Sequence, residues 1–195
     1  MLASITPLGE RARRSNWATT TGFYVAGSVL AGAAMGAAAS LLGSVVFASV
    51  GVAVRVGVVA GALVLGMVWE LATGAVPGPR RQVNELWLGR YRGWVYGLGF
   101  GAQLGAGVTT IVVSSAVYAV WLAALVSGRP LTGIAIGGCA GALRGATVLA
   151  GARVVTPARL MALHQRLREL QRPVRLLGLG AQLLLAAAAV AVVLT

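Results

Sequence analysis

Five stretches of the chain carry no charged side chain: Trp17 to Val54, Val56 to Trp69, Gly93 to Gly128, Pro130 to Leu143 and Leu176 to Thr195. A chain with 10% charged and 58% hydrophobic residues and a mean hydropathy of +0.85 cannot cover a soluble surface, because an ordinary soluble domain has roughly 25% charged residues. A bilayer core of about 30 Å calls instead for runs of about 18 or more apolar residues. The expected fold is all-α, a polytopic transmembrane helix bundle forming one integral membrane domain over 1–195.

Spans are expected near Ala18 to Leu42, Val52 to Thr73, Trp94 to Val126, Leu131 to Ala152 and Leu176 to Val193. Counting arginines between them sets the orientation. Arg11, Arg13 and Arg14, then Arg80, Arg81, Arg90 and Arg92, then Arg153, Arg159, Arg166, Arg168, Arg172 and Arg175 occupy alternate segments, while the other two connections carry only Arg55 and Arg129. The positive-inside rule then places the N-terminus in the cytoplasm. Trp17, Trp69, Trp87 and Trp94 fall at the expected inner ends and Trp121 toward an outer one, as indole rings at membrane interfaces do. The span count is about five, with room for a sixth, because Trp17 to Val54 exceeds one crossing and Gly43-Ser44 can turn the chain early. Arg11 to Arg14 followed by an apolar run and Ala37-Ala38-Ala39-Ser40 imitates a cleavable signal peptide; it is read as a retained first span. The absence of Lys and Asp, with heavy use of Ala, Gly, Val and Arg, points to a high-GC bacterial genome and hence to a bacterial plasma membrane.

Gly93 to Gly128 would reach about 54 Å as straight helix, so a bend is expected in its glycine-rich first half. After Thr156-Pro157, Leu160, Leu163, Leu167 and Leu170 recur at helical spacing until Pro173, with Arg159, Arg166, Glu169 and Arg172 opposite. This predicts a cytoplasmic amphipathic helix over 156–173, lying on the inner leaflet or docking a soluble partner. Arg81 to Arg92, with Val83, Leu86, Trp87 and Tyr91, reads similarly.

Gly133, Gly137, Gly141 and Gly145 recur every four residues, as do Gly97, Gly101 and Gly105. Each set makes a bare zipper-like stripe, and Gly32 with Gly36 and Gly57 with Gly61 extend the pattern. In lipid such stripes let backbones approach closely. They pack helices within the chain, or form an oligomer or partner interface.

Arg144 is the residue that bears most on function, since a guanidinium inside a span costs several kcal/mol unless it snorkels or is paired. It lies about 13 Å of helix from Arg153, and Gln103 lies about 16 Å from Arg92. With Glu70 as the carboxylate able to approach, Arg144 and Gln103 form a candidate polar centre for an anionic solute or lipid headgroup. Otherwise Arg144 snorkels and Glu70 is merely interfacial. Thr109, Thr110, Ser114 and Ser115 are candidates to line an outward path, although helix hydroxyls often bond their own backbone.

Cys139 and His164 are the lone cysteine and histidine, so no disulfide within the chain, metal site or cofactor is expected. The four glutamates, Glu10, Glu70, Glu85 and Glu169, are well separated and there is no aspartate. Catalytic constellations therefore lack parts, and no enzyme is expected. The net charge of +12 is arginine placed between apolar runs, which fits lipid contact rather than nucleic acid.

Gly99-Phe100-Gly101 to Gly107-Val108-Thr109-Thr110, followed by Gly141-Ala142-Leu143-Arg144-Gly145, resembles the second half of thiol-redox transporters of the DsbD/CcdA type over about 55 residues. The resemblance implies a scaffold of broken helices that passes reducing equivalents through a cysteine pair beside prolines. Ile111-Val112 stands where that Pro-Cys pair belongs, so the resemblance extends to the scaffold only and does not imply the chemistry. Arg81-Gln82-Val83-Asn84-Glu85 with Tyr91-Arg92-Gly93-Trp94-Val95-Tyr96-Gly97 is similar to small actinobacterial membrane proteins.

The expected function is an inner-membrane protein of transport type that moves or binds a small anionic solute or lipid at the Arg144 and Gln103 centre. The alternative is a non-catalytic subunit that scaffolds a larger membrane complex. Expected partners are membrane lipids and either further copies of the chain or membrane-protein subunits.

Overall fold

The computed structural model describes residues 5–78, 86–107 and 114–194, with side chains as far as 191. Among the described residues the chain is helical, with no strand. A short α1 (Pro7–Ala12) starts on Pro7, with the Thr6 hydroxyl accepting from the Gly9 N–H at 3.1 Å. Asn16 caps α2 (Trp17–Val46) by accepting from the Ala18 and Thr19 N–H groups at 2.9 and 3.3 Å. Gly43-Ser44 does not turn the chain. The Ser44 hydroxyl bonds back to the Leu41 carbonyl at 2.7 Å and Gly43 packs on the backbone of Leu125, so α2 continues for 30 residues, or about 45 Å. There follow α3 (Val52–Thr73), α4 (Trp87–Arg90), α5 (Gly93–Ala106), α6 (Ala116–Ser127) and α7 (Pro130–Ala146), which tightens into a 3₁₀ turn at Thr147–Gly151, and finally α8 (Pro157–Leu194).

Four helical stretches are long and apolar enough to cross a membrane: Trp17–Val46, Val52–Thr73, Pro130–Gly151 and Pro157–Ala191. Large apolar side chains such as Leu30, Leu65, Leu131 and Leu184 face outward from them, and the set is compatible with a membrane-embedded, multi-pass protein. The remaining expected span, 94–126, is not one helix. Its halves, α5 of 14 residues and α6 of 12, reach only about 21 and 18 Å as helix.

The expected stop at Pro173 is corrected as well. The amphipathic stretch 156–173 and the final apolar run belong to one helix, α8, with Pro173 inside it. Proline forfeits one backbone hydrogen bond, but the apolar residues beyond it gain by satisfying every other peptide group within the same helix. Leu160, Leu163 and Leu167 are half-buried along it and Leu170 is exposed.

α2 is the hub. Gly97, Gly101 and Gly105 meet the carbonyls of Thr20, Tyr24 and Ser28 in ascending order, so α5 runs parallel to α2. Gly133, Gly137 and Gly141 meet those of Gly36, Gly32 and Ser28 in descending order, so α7 runs antiparallel. The starts of α2 and α5 and the end of α7 therefore share one end of the bundle. Ile5, Tyr24, Tyr96, Phe100 and Val148 pack together there, and the Leu8 N–H donates to Val154 O at 3.0 Å. Arginines 11, 13, 14, 90, 92 and 153 gather at this end. At the other end Arg55 donates to the carbonyls of Phe47, Val50 and Val126, placing a cation on the C-terminal ends of α2 and α6. Outside this core α3 pairs with α8, where Leu63, Ala119 and Ala186 pack together.

Candidate polar centre in the bundle

Three helices converge at Ser28. Its buried hydroxyl donates to Gly141 O at 2.7 Å while Gly105 rests on its carbonyl, so a small polar side chain and two glycines bring α2, α5 and α7 into backbone contact. Arg144 lies one turn along α7 from Gly141. Its guanidinium packs on Gly107, the left-handed residue (φ +73°) that ends α5. Glycine suits this point because its left-handed backbone strains most other residues; a Cβ would in addition push the end of the Arg144 side chain aside and approach Trp121 Nε1 to 3.1 Å.

Arg144 does not reach back to the arginine-rich end. Gly145, its neighbour, meets Val25 and Ser28, whereas Gly107 lies beyond Gly105 and so farther from that end. The side chain thus runs deeper into the bundle, where its charge also faces the partly negative C-terminus of α5. Among the described residues the ion pairs are Arg13 with Glu10 and Arg175 with Glu70; neither reaches Arg144. Among the described residues the Trp121 indole N–H is buried without a hydrogen-bond partner. Arg144 and Trp121 share a pocket of about 310 Å³ with Ala116, Val117, Val120, Ala140 and Leu143, so its walls are otherwise apolar. Gln103 is half-buried on the last turn of α5 before Gly107 and is itself engaged.

Glu70 belongs to a second centre, between α3, α6 and α8. Its Oε2 accepts from the Ser115 N–H and hydroxyl, both at 3.0 Å, and from the Ser114 hydroxyl at 3.4 Å. Gln182 closes the ring through Ser115 Oγ at 3.0 Å and Ser114 Oγ at 3.3 Å. Arg175 donates to the Glu70 carbonyl at 2.7 Å and lies 3.7 Å from its carboxylate. Ser114 and Ser115 therefore fasten α6 to α3 and α8, and Thr109 and Thr110 lie outside the described residues. Gln182→Leu is expected to lower stability by about 1 kcal/mol, the scale of interhelical hydrogen bonds in membranes, read as a lower thermal midpoint in detergent. An unchanged midpoint would count against the ring as a fastening.

Gln182 and Trp121 are the contributors that sequence reasoning missed. A signal existed for Gln182, a lone amide within the uncharged run 176–195, since polar groups in spans seek partners. The chain matches no family model, no curated protein and no solved structure.

Proposed function

We propose that the chain is a non-enzymatic transport-type protein of a bacterial plasma membrane, its arginine-rich end in the cytoplasm, that binds an anionic amphiphile at Arg144. One observation carries the reading: Arg144 turns into the bundle beside an apolar pocket and the partnerless Trp121 indole N–H, with no carboxylate within ion-pair distance among the described residues. A cation and a donor at the edge of an apolar cavity match a negatively charged head on a hydrocarbon tail. Gln103, on the neighbouring turn of α5, orients the head in this reading, while Glu70 serves assembly through Gln182 and Arg175.

The test compares laurate with dodecanol, which share a chain length and differ in charge, on protein in zwitterionic nanodiscs. Wild type is expected to prefer laurate by about tenfold, roughly 1.4 kcal/mol. Arg144→Leu is expected to abolish the preference while the protein still inserts, and Trp121→Phe to reduce it. Equal affinity for the two probes in wild type would remove the site.

A scaffold role is the second reading. It is favoured by Gly57 and Gly61 on α3, where an added Cβ would meet no other element within 4 Å among the described residues. A stable hetero-complex after mild-detergent purification would support it, and a lone protein carrying an anionic amphiphile would support transport.

A further inference from the structure

At the arginine-rich end, the turn from α1 into α2 faces the turn from α4 into α5 across a cleft of about 530 Å³. Arg13, Arg14, Ser15, Arg90, Arg92 and Tyr96 are among its lining residues. We propose that this cleft binds a phosphoryl group, borne by a lipid headgroup or by a soluble phosphorylated molecule.

The charge count is the first support. Glu10 is the carboxylate beside the cleft among the described residues, and its oxygens are already used. It accepts from Arg13 at 2.6 Å, Thr20 at 2.8 Å and Tyr96 at 2.5 Å, with no exposed surface. Glu10 fixes Arg13, whose guanidinium also lies 5.7 Å from the centre of the Tyr96 ring. One charge of the four arginines is thereby balanced, and Arg14, Arg90 and Arg92 remain at the rim, exposed. A phosphate monoester carries close to two negative charges and three acceptor oxygens, which suits a ring of guanidinium forks better than a single carboxylate does.

The backbone at Arg14 is the second support. Its φ is +55°, and it is the described non-glycine residue with positive φ. The Ser15 and Arg14 N–H groups bond back to Glu10 O and Arg11 O at 2.9 and 3.1 Å, the helix-ending motif whose left-handed position favours glycine. An arginine there forgoes backbone stability, so its side chain has a use that glycine cannot supply. The same turn spends those N–H groups on α1, which leaves recognition to the guanidinium groups.

Two probes distinguish the sources: inorganic pyrophosphate, titrated onto protein in phosphatidylcholine nanodiscs at constant ionic strength, and nanodiscs with a rising phosphatidylglycerol fraction. Arg14→Gly and Arg92→Gln are compared with Arg166→Gln, a charge removal on α8 away from this cleft. A pyrophosphate response weakened about tenfold in the two cleft variants, and little in Arg166→Gln, supports a soluble ligand. The same pattern with phosphatidylglycerol alone supports a headgroup. Arg14→Gly is also expected to raise the thermal midpoint without ligand, so loss of binding would not reflect loss of fold. Equal weakening in all three variants, or no response to either probe, would overturn the proposal.

Discussion

Gly137→Val is expected to separate α7 from α2 and to cost about 3 kcal/mol or more, beyond the usual range for overpacking. A Cβ at Gly137 would run into the Gly32 carbonyl and come within 3.1 Å of Gly36 Cα, and both are backbone that cannot rotate away. The reciprocal positions, Gly32 and Gly36, meet Gly137 and Gly133 in the same manner, so strain at one rung lifts the whole ladder. Ser28 would lose its bond to Gly141 as the helices part, and Arg144 its seat on Gly107. The control is Gly61→Ala on α3. Among the described residues a Cβ there would meet no other element within 4 Å, and alanine is the better helix former. In detergent, size-exclusion profiles and thermal midpoints should show Gly137→Val aggregated or strongly destabilised and Gly61→Ala unchanged. Comparable behaviour of the two would mean that the ladder does not hold the bundle.

Glu10→Gln is expected to cost about 3 kcal/mol, the low end for breaking a buried charge pair, because Arg13 keeps 25% of its side chain accessible. The substitution removes the charge and turns one of the two acceptor oxygens into an NH2 donor, so Arg13 on Oε1 and Thr20 with Tyr96 on Oε2 cannot all be kept, which loosens the link from α1 to the starts of α2 and α5. Burial by itself raises the Glu10 carboxyl; hydrogen bonds from Tyr96, Arg13 and Thr20 and the charge of Arg13 outweigh it, holding the group below its ordinary 4.5. A carboxyl depressed on folding contributes stability that is complete above the unfolded value and disappears as pH falls through the folded one. Wild type should therefore lose thermal stability below about pH 4.5, and Glu10→Gln should lose this component of the acid response. A pH profile shared by both proteins would show that the ionised carboxylate does not anchor α1.

The helical class could be read from the uncharged runs, and the gathering of arginines at one end from their alternation. The four-residue glycine spacing was equally legible, but the identity of the partner was not, since a bare stripe does not specify what covers it. Six glycines between 93 and 107 made a bend foreseeable. Gly107 carries it because Gly97, Gly101 and Gly105 are committed to the carbonyls of α2. Pro173 misled because a stop signal reliable in water yields when the following residues are apolar. Glu70 was within plausible depth of Arg144, yet depth along a helix leaves the azimuth undetermined, and α3 turns it toward Gln182 and Arg175. In the sequence Glu10 is one of four well-separated carboxylates, and only the approach of Thr20 and of Tyr96 from a distant helix makes it a buried anchor.

The central place of α2 has a consequence for biosynthesis. A ribosome emits the hub before the helices that pack on it, and Ala146, the end of the antiparallel helix that covers it, follows Val46 by 100 residues. At about 5–20 residues per second, that interval is roughly 5–20 s. Throughout it the glycine-rich face of α2 that meets Gly133 and Gly137 waits for its partner, so α2 and α7 can join only after the intervening helices have been made.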